Sequence, residues 1–376
     1  MAKRRIGIMD IIVGQPLPWS VFGEDGKLLL SAGETVASEA TMKRLVAEGL
    51  YSEITYASDA DEVYFNPKNE PSVVRILNRT NYLLRKALPV LAAFPDVSAK
   101  VREFAEMVYT AVELDSDVAV ACIFLNQKPG GPYNFRHNTD TAIVASLIAR
   151  SMGLPREEII TGIAAALTAN LGMLDYQDHL DKKTGPLTQA EKDHLRTHPA
   201  HSVEMLKGFG VTDEAWLAAV LNHHENEDGS GYPNGKKSDE IPVFAKLIGL
   251  ADRYCARVTS SRKLALPSAA LKDIFLSKNK EIDSKLAPYF IKEIGLYPPG
   301  SFVKLKNYEI GVVYKNGVKP GCPDVFLALT AHGMPQNGRI LRKTTSPEYA
   351  ITESVHKEIA GSNLAMQRFW GVLAAF

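Results

Sequence analysis

Net charge is the first thing this chain lacks: its 376 residues carry 43 Lys and Arg against 43 Asp and Glu. A balanced chain has no global electrostatic footprint for nucleic acid, so no nucleic-acid partner is expected and any anion site has to be local. Cysteine is scarce as well. Cys122, Cys255 and Cys322 stand apart without CxxC spacing, which argues against a disulfide framework or a cysteine zinc site and suits a reducing cytoplasm. Long apolar runs are missing too. The richest stretch, Ile159 to Leu174, is interrupted by Thr161, Thr168 and Asn170 and falls short of the roughly eighteen residues that a membrane span needs. The basic start Met1-Ala2-Lys3-Arg4-Arg5 meets Asp10 and Pro16 before any apolar signal core. A soluble cytoplasmic protein with no membrane span is expected. There is no P-loop, no Ser-His-Asp arrangement and no internal repeat.

Periodicity divides what is present. Residues 1–57 read as a small α+β domain, with strands from Gln15 to Phe22 and Lys27 to Leu30 around the hairpin signal Gly23-Glu24-Asp25-Gly26. Ser38 caps a helix with Met42, Leu45 and Val46 on one face, and Tyr51 to Tyr56 is strand-like. Ala57 to Pro71 is a polar linker. Residues 72–297 are helical. Val73, Ile76, Leu77 and Leu84, then Val101, Phe104 and Val108, form stripes that face either a core or a coiled-coil homodimer stem. Asp115 to Phe124 is a short helix, Glu157 to Leu171 is apolar on all sides and therefore central, and Trp216 to Glu225 is a further helix. Phe302 to Leu305, Ile310 to Tyr314 and Val325 to Leu329 alternate as strands of a β extension over residues 298–345, and residues 346–376 close the chain with an amphipathic helix from Thr352.

The chemistry concentrates in His223-His224-Glu225-Asn226-Glu227-Asp228-Gly229-Ser230-Gly231-Tyr232-Pro233. Two imidazoles stand beside a loop rich in glycine. Imidazole is the commonest metal ligand and glycine lets backbone N–H groups approach an anion, so one reading is a metal facing a phosphate. A His pair at a helix end also caps the last carbonyls and complements the dipole. Upstream, His137 at the start of a buried helix is either a satisfied core residue or a ligand.

The eleven-residue string resembles the signature of the HD-GYP family of cyclic di-GMP phosphodiesterases. The register is set by Gly172, Asp178, Gly185-Pro186-Leu187-Thr188 and His198-Pro199, which follow the family pattern without a gap. The resemblance implies an HD-superfamily helical bundle, mainly α, with metal ligands at His137, His198, His223, His224 and Asp252. It also implies that Ala169, Asn170 and Met173 stand where the family carries its His-Asp doublet and a Lys, and that Tyr133 stands where some members carry a ligating Glu. Asn170 is neutral and bridges cations poorly, Ala169 has no donor, and Met173 cannot neutralise phosphate. At most one divalent transition ion is therefore expected, iron, zinc or manganese. Gly229, Gly231, Tyr232, Pro233 and Arg262 are the implied ligand-binding residues, with Tyr232 or Tyr254 available to stack a guanine. Lys236, Lys237, Arg253, Arg257 and Lys263 are further candidate cations.

The resulting expectation is a degenerate HD-GYP protein in bacterial cyclic di-GMP signalling, acting as a nucleotide- and metal-binding sensor or interaction module. Cyclic di-GMP, a signalling protein such as a diguanylate cyclase domain and a second copy of the chain are its expected partners. Two alternatives stand beside it: an active phosphodiesterase using the residual ligands, and a scaffold that binds neither metal nor nucleotide.

Overall fold

The computed structural model describes residues 3–5, 13–14, 21–23, 25, 27–31, 34–47, 51–53, 71–126, 133–174, 176, 185–259, 265–276, 281–336, 338–360 and 365–375. Its first unit is an antiparallel sheet of β1 (Lys3–Arg5), β2 (Val21–Phe22), β3 (Leu28–Leu30) and β4 (Tyr51–Glu53) in the order β1-β4-β2-β3. The hairpin forms at the expected place, with Gly23 N donating to Lys27 O at 2.9 Å and Lys27 N to the Asp25 side chain at 3.0 Å. Helix α1 (Glu39–Ala47) starts where Ser38 Oγ accepts from Thr41 N at 3.1 Å. The basic stretch Lys3–Arg5, in which no strand was expected, pairs with β4. Residues 57–70 of the expected linker lie outside the described residues.

The helical unit begins with α2 (Val73–Ala87), α3 (Val97–Leu114) and α4 (Ser116–Leu125). Each has a side-chain cap, from Ser72, Asp96 and Asp115, which satisfies an amide that the helix itself leaves open. The stripes Val73, Leu77 and Leu84, and Val101, Phe104 and Val108, are buried inside this chain's own core. They face that core and not a coiled-coil stem.

Next come α5 (Tyr133–Ser151), α6 (Arg156–Thr168), α7 (Gln189–Gly208), α8 (Glu214–Asn222), α9 (Val243–Thr259), α10 (Pro267–Phe275) and α11 (Ala287–Glu293). Helix α6 is central as its composition requires, packed against α3, α5 and α8. Small residues make this closeness attainable. A Cβ on Gly162 would stand 2.1 Å from the Phe244 ring, so only glycine admits that side chain. Trp216 is fully buried and still satisfies its indole, donating to Thr168 Oγ1 at 2.8 Å. The Trp216 bond ties the end of α6 to the first turn of α8, whose other end leads into the site.

The terminal sheet is antiparallel, in the order β8-β7-β6-β5-β9, from β5 (Phe302–Leu305), β6 (Ile310–Lys315), β7 (Asp324–Leu329), β8 (Leu341–Lys343) and β9 (Ile351–Val355). A continuous helix from Thr352 does not form. Ile351–Val355 is an edge strand paired with β5, and the short helices α12 (Lys357–Ala360) and α13 (Gln367–Trp370) follow it. Trp370 is buried with its indole bonded to Tyr314 O at 3.0 Å, while Ser72 Oγ lies 2.6 Å from Ala375 O. The tail therefore bridges the sheet and the first helix of the bundle. No helix among the described residues is long and apolar enough to cross a membrane.

Candidate metal centre

Helix α8 ends at Asn222, three residues short of the expected Glu225, and His223 and His224 start the turn beyond it. His223 Nδ1 lies 2.7 Å from Val220 O, a carbonyl of the last helical turn. A carbonyl only accepts, so Nδ1 carries the proton and Nε2 is left bare. Capping thus occupies one end of the ring and leaves the other end able to ligate.

His198 repeats the device inside α7. Pro199 has no N–H to give to Leu195 O four residues back, and His198 Nδ1 takes that carbonyl instead at 2.6 Å. The His-Pro dipeptide therefore sets the tautomer of His198. The two bare atoms meet, His198 Nε2 standing 3.2 Å from His223 Nε2. His224 completes the group, with ring centroids 4.1 Å from His223 and 5.0 Å from His198. All three donors fall within 4.8 Å of one another.

Burial keeps these rings neutral. It pushes His198 down to about 3, aided by the neighbouring His223, and holds His223 and His224 below the ordinary imidazole range. Two facing lone pairs with no proton to share repel, and a cation between them converts the repulsion into coordination. Three neutral imidazoles suit zinc, iron or a similar ion. Such a donor set fits one divalent transition metal.

His137 and Asp252 are brought to each other beside this trio, near enough for the Asp252 charge to act on all three imidazoles. His137 Nε2 lies 2.7 Å from Asp252 Oδ1, across the α5–α9 contact. Burial alone would raise the Asp252 carboxyl, but the hydrogen bond and charge of His137 outweigh it and hold the group below the usual carboxylate range. The Asp252 partner is thus a histidine.

At the end of α6, Ala169 and Asn170 are buried, 2% and 4% exposed. Asn170 Nδ2 donates to Asn138 Oδ1 at 3.0 Å, while Asn170 Oδ1 is buried without a hydrogen bond. Met173 lies in the following short 3-10 turn, half-buried. Ser202 pins this segment to α7, accepting from Gly172 N at 2.8 Å and donating to Ala169 O at 2.9 Å. Gly172 is obligatory there, because a Cβ would fall 2.7 Å from Ser202 N.

The glycine-rich turn differs from a phosphate cradle. Its amides serve the protein itself: Gly229 N goes to Asn226 O, Ser230 N to Asp228 Oδ1 and Tyr232 N to His224 O. Buried Glu225 accepts from Asn234 N at 2.7 Å and Lys236 N at 3.0 Å. Gly231 lets the loop fold back, since a Cβ would stand 2.4 Å from Asn226 N. Pro233, joined to Tyr232 by a cis peptide bond, is exposed. The turn's effect is to lay Tyr232 on His224, rings stacked at 4.8 Å and 27°. Tyr254 is fully buried against Phe290 and has no face for a base.

Of the candidate cations, Arg253 is bound to Glu281 at 2.9 Å and to Asn226 Oδ1, and Arg257 to Arg253 O. Arg262 and Lys263 lie outside the described residues, as does the Tyr133 side chain. Sequence reasoning missed Arg196 on α7, whose guanidinium carbon is 5.8 Å from the Tyr232 ring centroid. It also missed Glu225 and Ser202 as supports of the site. Only their proximity to motif residues hinted at them.

The buried groups give the metal-free protein a directional pH dependence. Histidines lowered on folding bind fewer protons than in the unfolded chain, so their stability contribution is present above about pH 6.5 and is lost as pH falls toward the folded values. Asp140 acts oppositely: burial lifts it to about 7, and its contribution is lost as pH rises from the ordinary carboxylate range to 7. Asp117, lifted by burial to about 6, acts in the same sense as Asp140, and three histidines outweigh the two carboxyls. The thermal midpoint of chelator-treated protein should fall between about pH 6.5 and pH 5, and Asp140→Asn should steepen the fall. A midpoint flat over this interval would contradict the neutral-imidazole assignment.

Residues 123–286 match the family described as HD domain. The chain carries an HD domain that spans α4 to the start of α11. It is 29% identical over 188 residues to the cyclic di-GMP phosphodiesterase PA4108 of Pseudomonas aeruginosa, covering 50% of this chain and 45% of that protein. It is 24% identical over 214 residues to the cyclic di-GMP phosphodiesterase PdeB of Borreliella burgdorferi, covering 56% and 55%. The chain thus spans about half the length of these curated relatives. The solved structure of Bd1817, an HDG"Y"P protein from Bdellovibrio bacteriovorus, shares the fold at a TM-score of 0.54 and 13% identity, over 77% of this chain and 98% of that one. Over residues 123–286 the chain is therefore an HD domain, similar there to cyclic di-GMP phosphodiesterases.

Proposed function

We propose that this protein is a cyclic di-GMP-binding signalling module built on one divalent transition metal ion, with weak or absent hydrolysis. The observation that carries the reading is the 3.2 Å approach of the bare nitrogens of His198 and His223, with His224 beside them. In this reading His198, His223 and His224 hold the ion, which when bound supplies Lewis acidity toward a phosphate oxygen. His137 and Asp252, already paired at 2.7 Å, form the anionic edge of the centre. Ala169, Asn170 and Met173 offer no anion and no cation at the place where a second ion and its phosphate would sit. Binding without efficient cleavage follows. A diguanylate cyclase domain or a second copy of the chain would read the bound state.

The test is a calorimetric titration of metal-loaded protein with cyclic di-GMP, followed by chromatography of the nucleotide. Saturable binding with the nucleotide recovered intact is expected. Sustained release of linear product, abolished by His223→Ala, would overturn the reading in favour of an active phosphodiesterase.

A further inference from the structure

We infer that Arg196 is the phosphate-gripping residue of this centre, an inference that rests on the proposed metal and cyclic dinucleotide site. Arg196 precedes His198 by two residues on α7, so the two side chains leave the helix in different directions. His198 points inward and is buried, whereas Arg196 is exposed. The guanidinium does not drift in solvent: it lies over Tyr232, 5.8 Å from the ring centroid. Tyr232 in turn stacks on His224 at 4.8 Å. Guanidinium, phenol ring and ligand imidazole thus form a row that runs from solvent to the three-histidine cluster.

Two other cations beside the turn, Arg253 and Lys246, are engaged. Arg253 is held by Glu281 and Asn226, and Lys246 sits 2.8 Å from Glu227 and 3.4 Å from Asp283. Among the described residues, no carboxylate pairs with Arg196. A guanidinium lying over a ring keeps its in-plane N–H groups for a partner, and its planar fork matches two phosphate oxygens. The amides of Gly229, Ser230 and Tyr232 are occupied internally, so they leave this task open. An anion drawn to an ion on His198, His223 and His224 has Arg196 as its second handle, and the Tyr232 ring gives an adjoining purine a surface. Such an arrangement selects a phosphodiester carrying a base over a bare carboxylate.

The experiment titrates metal-loaded wild type, Arg196→Gln and Arg196→Lys with two probes, inorganic phosphate and cyclic di-GMP, with metal content measured on each sample. One lost charge-assisted phosphate contact is expected to weaken both probes about tenfold in Arg196→Gln. Arg196→Lys should recover part of the phosphate affinity, because it keeps the charge without the fork. Metal content should be unchanged, and added salt should weaken phosphate binding more in the wild type than in Arg196→Gln. Equal affinities for phosphate in wild type and Arg196→Gln, or no phosphate binding to metal-loaded wild type, would overturn the inference. Phosphate binding that depends on Arg196 without any affinity for cyclic di-GMP would uphold the anion contact and refute the proposed nucleotide.

Discussion

His223→Ala is expected to lose the transition metal, with affinity falling by more than about a hundredfold, the upper range seen when only an outer partner of a ligand is removed. The reason lies in how few donors there are. In the proposed centre three imidazoles would hold the ion, and His223 is the one whose Nε2 faces His198 Nε2 at 3.2 Å. A structural histidine behaves differently under the same substitution. If His223 served only to cap Val220 O, its removal would lower stability equally with and without chelator. With a bound ion, the wild type loses its advantage once the metal is stripped, because ligand binding stabilises only the form that binds. Stripping also leaves two lone pairs opposed in the wild type and none in the variant. Thermal melts of both proteins, with and without chelator, separate the two roles.

Restoring the doublet should produce the largest gain. The triple variant Ala169→His, Asn170→Asp, Met173→Lys is expected to bind a second ion and to release linear product from cyclic di-GMP. Asn170 Oδ1 is already buried without a hydrogen bond, so a carboxylate finds one oxygen position ready. The second oxygen meets an obstacle. It would face Asn138 Oδ1, and Asn138 must turn its amide over and give up its 3.1 Å bond to Leu167 O. An unmet buried acceptor costs about 1–3 kcal/mol, and a histidine at buried Ala169 adds about as much through overpacking. The metal-free triple variant should therefore melt well below the wild type, with added metal recovering the loss. Unchanged stoichiometry would count against placing residues 169–173 on the doublet.

Much of this architecture was legible because it rests on local rules. Ser38 caps its helix, Gly23 and Lys27 close its hairpin with the Asp25 side chain, and the apolar run before Leu171 is the centre of the bundle. The histidines of the cluster were legible through motif spacing alone. What escaped was long-range. Arg196 meets Tyr232 across 36 positions of sequence, and its place two residues before His198 does not reveal that contact. Ser202 reads as an ordinary helical serine until it is seen to bridge Gly172 and Ala169. The glycines of the turn invite a backbone cradle, yet the Glu225 and Asp228 carboxylates sit within hydrogen-bond reach of its amides first. At the C-terminus, Ile351–Val355 carries Thr352 and Glu353 on an exposed edge, so its polar residues blurred the alternation that marks a strand.

Elemental analysis of one preparation series, wild type beside His223→Ala, tests the central claim most directly. One transition-metal ion per wild-type chain and none in the variant is the expected result. Two ions in the wild type, or the same content in both proteins, would contradict a centre built on His198, His223 and His224.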